Sequence, residues 1–149
     1  MGKFVFRNAY FAIDSTAATI VALSDHVRSV TLNYSKAEVD ATCMGDEGMA
    51  RILGLADWSM DVEFAQDYAT AKVNAVIFNK MNSTVPEVTV QFRPTTDAAS
   101  TANPQFQGEG IVFEYTPMGG TVGDLATASI SIKAAADYST SYSLARITA

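Results

Sequence analysis

Asp57-Trp58-Ser59-Met60-Asp61-Val62-Glu63-Phe64-Ala65 alternates without a break: Trp58, Met60, Val62 and Phe64 share one parity, and Asp57, Ser59, Asp61 and Glu63 share the other. Side chains of an extended chain leave opposite faces in turn. A period of two therefore writes a strand with an apolar face on a core and an acidic face directed elsewhere.

Outward from this run, 87–93 repeats the scheme with Val88, Val90 and Phe92 against Glu87, Thr89, Gln91 and Arg93. The segment 127–133 does so with Ala128, Ile130 and Ile132 against Thr127, Ser129, Ser131 and Lys133. Weaker alternation predicts strands over 4–13, 29–44, 108–116 and 138–147. One segment changes period. Val73, Val76, Ile77 and Met81 fall at spacings of three, one and four, which stacks them on one helical face. A helix is expected over 70–81, capped by Asp67 or Thr70 and ended by Asn82-Ser83 ahead of Pro86. A shorter helical turn is expected at 47–53, between Gly45 and Gly54. Turn chemistry gathers at Asn103-Pro104, Pro117-Met118-Gly119-Gly120 and Gly123-Asp124. Two stretches, 14–24 and 95–107, are too long or aperiodic for tight connections and read as functional or interaction elements.

The sum is a mainly β chain of seven or eight strands with one helix, a β-sandwich or partly closed barrel, occupying 1–149 as a single domain. Hydrophobic residues make up 48% and charged residues 17%, which excludes a disordered chain and leaves an unusually uncharged surface, as if part of it were buried elsewhere. Acidic residues outnumber basic ones 16 to 10, and the cations are scattered singly, so no nucleic-acid-binding stripe is present. No apolar segment approaches the roughly 20 residues that span a bilayer, and no secretion signal is legible, so the chain is expected to be cytosolic when made.

Chemistry finds little to work with. His26 is the sole histidine and Cys43 the sole cysteine. Ser24-Asp25-His26 holds the residue types of a nucleophilic triad, but adjacency in sequence does not supply the geometry; a capped surface turn is the reading preferred. Cys43 reads as a small buried side chain. One histidine and one cysteine cannot make a zinc site, Gly45-Asp46-Glu47-Gly48 lacks the alternating acids of a calcium loop, and Gly119-Gly120-Thr121-Val122-Gly123 lacks the lysine and helix of a phosphate loop. No catalytic residue, metal ligand or cofactor is assigned. The feature with directional content is acidic: Asp57, Asp61 and Glu63, with Glu38 and Asp40 expected to join them across the sheet.

The order of motifs resembles a known family. Met44-Gly45-Asp46, Gly54-Leu55 and the run Trp58-Ser59-Met60-Asp61-Val62-Glu63-Phe64-Ala65-Gln66-Asp67-Tyr68 ahead of a helix look like the tail tube (major tail) proteins of phages with long non-contractile tails. Asn103-Pro104-Gln105-Phe106-Gln107-Gly108, Tyr115-Thr116-Pro117 and Gly119-Gly120-Thr121-Val122-Gly123-Asp124-Leu125-Ala126-Thr127-Ala128 are similar to their turn and final-strand region. Asn8-Ala9-Tyr10 and Leu23-Ser24-Asp25-His26-Val27 fit the N-terminal region.

The resemblance implies a non-enzymatic virion protein of the tail that self-assembles into stacked hexameric rings for DNA ejection. It implies a continuous inner β-barrel, no appended immunoglobulin-type domain, and tape measure, tail terminator and distal tail proteins as partners. DNA would pass without specific binding. It makes 14–24, 45–55 and 95–107 candidate ring-to-ring or subunit contacts, and the acidic face of Asp57, Asp61, Glu63, Glu38 and Asp40 a candidate lumen lining. The inner tube of a contractile injection machine, which shares the fold, and a monomeric β-sandwich ligand-binding module are the alternatives.

Overall fold

The acidic alternating run becomes the second half of a longer strand, β4 (Arg51–Ala65), whose buried residues Trp58, Met60, Val62 and Phe64 are those of the predicted core face. The computed structural model describes residues 3, 5–14, 19–135 and 144–148. Around β4 stand β1 (Tyr10–Asp14), β2 (Ile20–Ala22), β3 (Val27–Asp40), β5 (Glu87–Arg93), β6 (Gln105–Gly119), β7 (Thr127–Ala134) and β8 (Ala145–Ile147), with one helix, α1 (Val73–Met81). All pair antiparallel in one sheet of order β2-β1-β5-β6-β7-β4-β3, with β8 on the first residues of β6.

The sheet curls on itself. Phe11 of β1 and Phe64 of β4 have β5, β6 and β7 between them in that order, yet their rings meet edge to face at 5.7 Å. Apolar faces of both halves thus enclose one core, which also takes Leu23 and the helical residues Val73, Val76 and Ile77. The segment joining β2 to β3 stitches the seam: Leu23 N–H donates to the Phe11 carbonyl, and Ala65 N–H to that of His26. Trp58 needs room in this core. Gly108 and Gly110 of β6 supply it, because a β-carbon at either would sit within 3 Å of the indole.

Several expectations are corrected. The helix starts at Val73, after Ala71 takes a left-handed φ of 59°, and Lys72 occupies the N-cap without a side-chain bond. Asp67 instead binds the Ala69 N–H three residues ahead of the cap. The stretch at 47–53 is bends followed by the start of β4, and 29–44 is strand only to Asp40. Cys43 is exposed, because β3 and β4 run past the core as a two-stranded ribbon with no covered face at its tip. The 95–107 loop is tied by its own buried Asn103, whose amide donates to the Asp97 and Ala98 carbonyls and accepts from Thr95 N–H. Of the remaining expectations, residue 4, residues 15–18 of the 14–24 segment and 138–143 of the last predicted strand lie outside the described residues.

Candidate functional site

Strand register converts the alternation of β4 into a surface. Across from Glu63 stand Ser29 of β3 and Ser129 of β7, with Thr116 of β6 beyond. Across from Asp61 stand Thr31 and Ser131, with Glu114 beyond. Across from Ser59 stand Asn33 and Lys133, and across from Asp57 stands Ser35. Four strands thereby present rows of hydroxyls, amides and carboxylates on the side away from the core. A shallow depression of about 340 Å³ follows the first two rows, with Asp61, Glu63 and Glu114 in its lining.

The charge on this face is negative. Asp57, Asp61, Glu63 and Glu114 face two cations, Lys133 and the bulged Arg28, whose guanidinium lies 3.4 Å from Glu63. Both partners of that pair are about half exposed, so water screens it and it contributes little to stability.

Asp57, Asp61 and Glu63 are brought together as the sequence predicts, but Glu38 and Asp40 are not. They sit at the far end of β3, opposite Leu53 and Arg51, beyond an irregularity in which β4 carries one extra residue. Both keep the parity of Leu32 and Tyr34 along β3, which puts them on the side that continues the Tyr34 and Trp58 face, and the extra residue brings Leu53 and Arg51 of β4 to that side as well. Each is also engaged locally. Glu38 accepts from Arg51 Nε at 2.6 Å. Asp40 accepts from the hydroxyl and N–H of Thr42, and those two bonds hold its carboxyl below the ordinary aspartate value. The acid that sequence reasoning missed is Glu114, because a bulge between Val112 and Glu114 interrupts the alternation that would have shown it.

Two edges bound the polar face. β3 has β4 on one side and no described strand on the other, over 14 residues. β6 pairs with β5 only as far as Ile111, so from Val112 onward its second edge has no described strand partner.

The triad residue types do not form a triad. The Ser24 hydroxyl accepts from Phe11 N–H and donates to its carbonyl. His26 turns Nδ1 to Asp25 at 2.7 Å and Nε2 to Asp67 at 2.9 Å, clasping the β2–β3 turn to the segment ahead of α1. Asp67 is held below the ordinary value by the Ala69 N–H and then by His26. Asp25 is also held low, burial opposing and the bond from His26 favouring its charged form. Gly120 and Gly123 take left-handed φ of 134° and 98° in the turn between β6 and β7. Among the described residues no cluster of three metal-ligating side chains occurs, and no helix is long and apolar enough to cross a membrane.

The fold is shared with solved tail assemblies. A chain from the tail of an empty gene transfer agent particle, refined with C6 symmetry, superposes with TM-score 0.63 at 18% identity, covering 86% of this chain and 91% of its own. The SPP1 tail tube matches with TM-score 0.65 at 16% identity, over 85% of this chain and 72% of that one. A chain of the sixfold-symmetrised baseplate of the anti-feeding prophage matches with TM-score 0.58 at 6% identity, over 99% and 97%. No family model and no curated protein sequence matches. The chain is mainly β with one helix and has the tail tube fold.

Proposed function

We propose that this chain is a tail tube subunit of a virion: a structural protein, not an enzyme, that joins copies of itself into sixfold rings and stacks them into a conduit for DNA. The observation that carries the reading is the four-stranded polar face with no described strand along the outer edge of β3 or of β6 beyond Ile111. In the order β6-β7-β4-β3 every neighbour is antiparallel, so β3 runs opposite to β6. Placing β3 of one copy beside the outer part of β6 of the next therefore makes another antiparallel joint of the same kind. Repetition head to tail satisfies both edges at every joint and closes a barrel if the rotation closes.

Six copies give a barrel of about 24 strands, roughly 40–50 Å across at the backbone for ordinary spacing and tilt. A ~20 Å duplex passes such a bore. The acidic rows then line the lumen, where a cationic wall would bind the phosphates and slow the DNA. At physiological salt the repulsion reaches only ~8 Å, so it acts on DNA close to the wall and leaves the axis unaffected. Sixfold symmetry in two of the matching assemblies supports the ring number. The tape measure, terminator and distal tail proteins would meet the tube at its lumen and ends.

The likeness to the anti-feeding prophage chain favours a second reading, the inner tube of a contractile machine, on the same barrel. Its tubes would recruit a sheath, whereas those of a non-contractile tail would not.

Negative-stain electron microscopy of concentrated protein, with its mass in solution, tests the conduit. Rings or hollow tubes are expected; a monomer at every concentration and with an initiator complex present overturns the reading. For the lumen, replacing Asp57, Asp61 and Glu63 together with lysine should slow or block DNA exit from assembled particles. Unchanged ejection kinetics would remove these residues from the lumen.

A further inference from the structure

Lys80, near the end of α1, is only 4% exposed, and it is the one charged residue among those described that lies wholly inside. A buried lysine needs a partner, and the acid it faces is Asp14 at the end of β1, whose side chain is 15% exposed. As an ion pair the two are poorly joined. Lys80 Nζ stands 3.9 Å from Asp14 Oδ2, too far for a hydrogen bond, and Asp14 Oδ1 is buried with no hydrogen-bond partner among the described residues. Two charges taken out of water without good hydrogen bonds are costly to keep.

Two more acids come to the same place. The pairing of Ile13 with Val90 sets Asp14 beside Thr89 of β5, and Thr89 is paired with Glu109 of β6. Glu87 lies two residues along β5, on the face of Thr89. A cavity of about 330 Å³ is lined by Asp14, Lys80, Glu87 and Glu109 together with Val85 and Val88. An amine, a carboxyl group against it and a further carboxyl group in a partly apolar recess are what amide formation requires: a nucleophile, an electrophile and a carrier of protons.

We propose that Lys80 and Asp14 condense into an isopeptide bond, a modification site built into this fold. One proton passes from the ammonium to the carboxylate, and the neutral Nζ attacks Cγ of Asp14, so that the Nζ–Cγ bond forms as one Cγ–Oδ bond breaks. Glu87 takes a second proton from the nitrogen and delivers it to the departing oxygen. A cation and an anion thereby become a neutral amide and one water, with no oxidant or co-reactant. The product removes both buried charges. Groups held in contact within one fold react as if at effective concentrations on the order of 10⁵–10⁸ M when well oriented, which favours joining an amine to an acid despite the surrounding water. The bond ties β1 to α1 and closes a loop that contains β2, β3 and β4, so it restrains the unfolded chain. It stands independently of the conduit reading.

The intact mass of the purified, denatured chain tests the bond directly. The expected mass is one water below that of the sequence. Trypsin should fail to cut after Lys80 and should release one branched peptide joining the segments that hold Asp14 and Lys80. Lys80→Arg should carry its full sequence mass and give no branched peptide. Asp14→Asn should lose ammonia in place of water and give the same branched peptide as the unmodified chain. Glu87→Gln should slow the condensation on the order of 100-fold, so that freshly made protein keeps its full mass. Condensation at an unchanged rate in that variant removes Glu87 from the step. An unmodified chain of full sequence mass, with no branched peptide, overturns the bond and leaves Lys80 and Asp14 an ion pair.

Discussion

At the scale of single residues, the tightest spatial demand in the molecule is the notch for Trp58. A β-carbon on Gly110 would lie 2.5 Å from Ile132 Cγ2, 2.8 Å from the Lys133 carbonyl oxygen and 2.9 Å from the indole. Backbone cannot yield as a side-chain tip can. Gly110→Ala should therefore cost about 1–3 kcal/mol, the usual penalty of overpacking. At this chain length that is a fall in Tm of roughly 3–10 °C by calorimetry. Gly108→Ala, which would press mainly on the ring edge, should cost less. Asp67 sets a pH dependence whose sign is fixed by its lowered pKa, caused first by the Ala69 N–H and then by His26. Its stabilising effect is whole above the ordinary aspartate value of 3.8 and is lost as pH falls through the lower folded value. Thermal melts from pH 5 down to pH 2 should show Asp67→Asn losing less stability with acid than the unmodified chain; equal slopes would mean that Asp67 contributes no such linkage.

At the scale of elements, the parts that alternate were readable and the parts that break alternation were not. Val88 to Phe92 and Ala128 to Ile132 fall on the core because each strand is regular and half buried. The first half of β4 escaped because Ile52, Leu53 and Leu55 belong to a ribbon without a buried side, where no period is imposed by a core. Glu114 escaped through one inserted residue, which inverts the parity of β6 beyond it, whereas Glu38 and Asp40 keep the parity of Leu32 and Tyr34 along β3 and so stand on the side opposite to Asp57, Asp61 and Glu63. The helix was found by its apolar face and misjudged at its start, because Asp67 serves a turn ahead of it and Ala71 turns left-handed before the first helical residue. That last feature predicts a gain. An alanine at φ 59° carries a steric cost that glycine does not, so Ala71→Gly should stabilise by up to about 1 kcal/mol after the added freedom of the unfolded chain is deducted. A drop in denaturation midpoint would show that the turn is not strained by its β-carbon.

At the scale of the whole molecule, the sheet curls until Phe11 and Phe64 meet, and its polar half has no described strand along either outer edge. Strand edges of this length carry an aggregation hazard unless something covers them. The bulge of β6 sharpens the point: Phe113, the extra residue beside Glu114, stands 60% exposed on the strand whose outer edge lacks a described strand partner. Phe113 is not among the residues of the core cluster or those packed against it. Phe113→Asp should leave the unfolding free energy of the isolated subunit unchanged within about 0.5 kcal/mol, as surface substitutions do. If β6 meets β3 of a neighbour, the same substitution buries a carboxylate at that joint, and rings should disappear from micrographs and from the mass in solution at concentrations where the unmodified chain forms them. Rings that persist in the Phe113→Asp variant would place the subunit joint on another surface and would separate the polar face from the lumen.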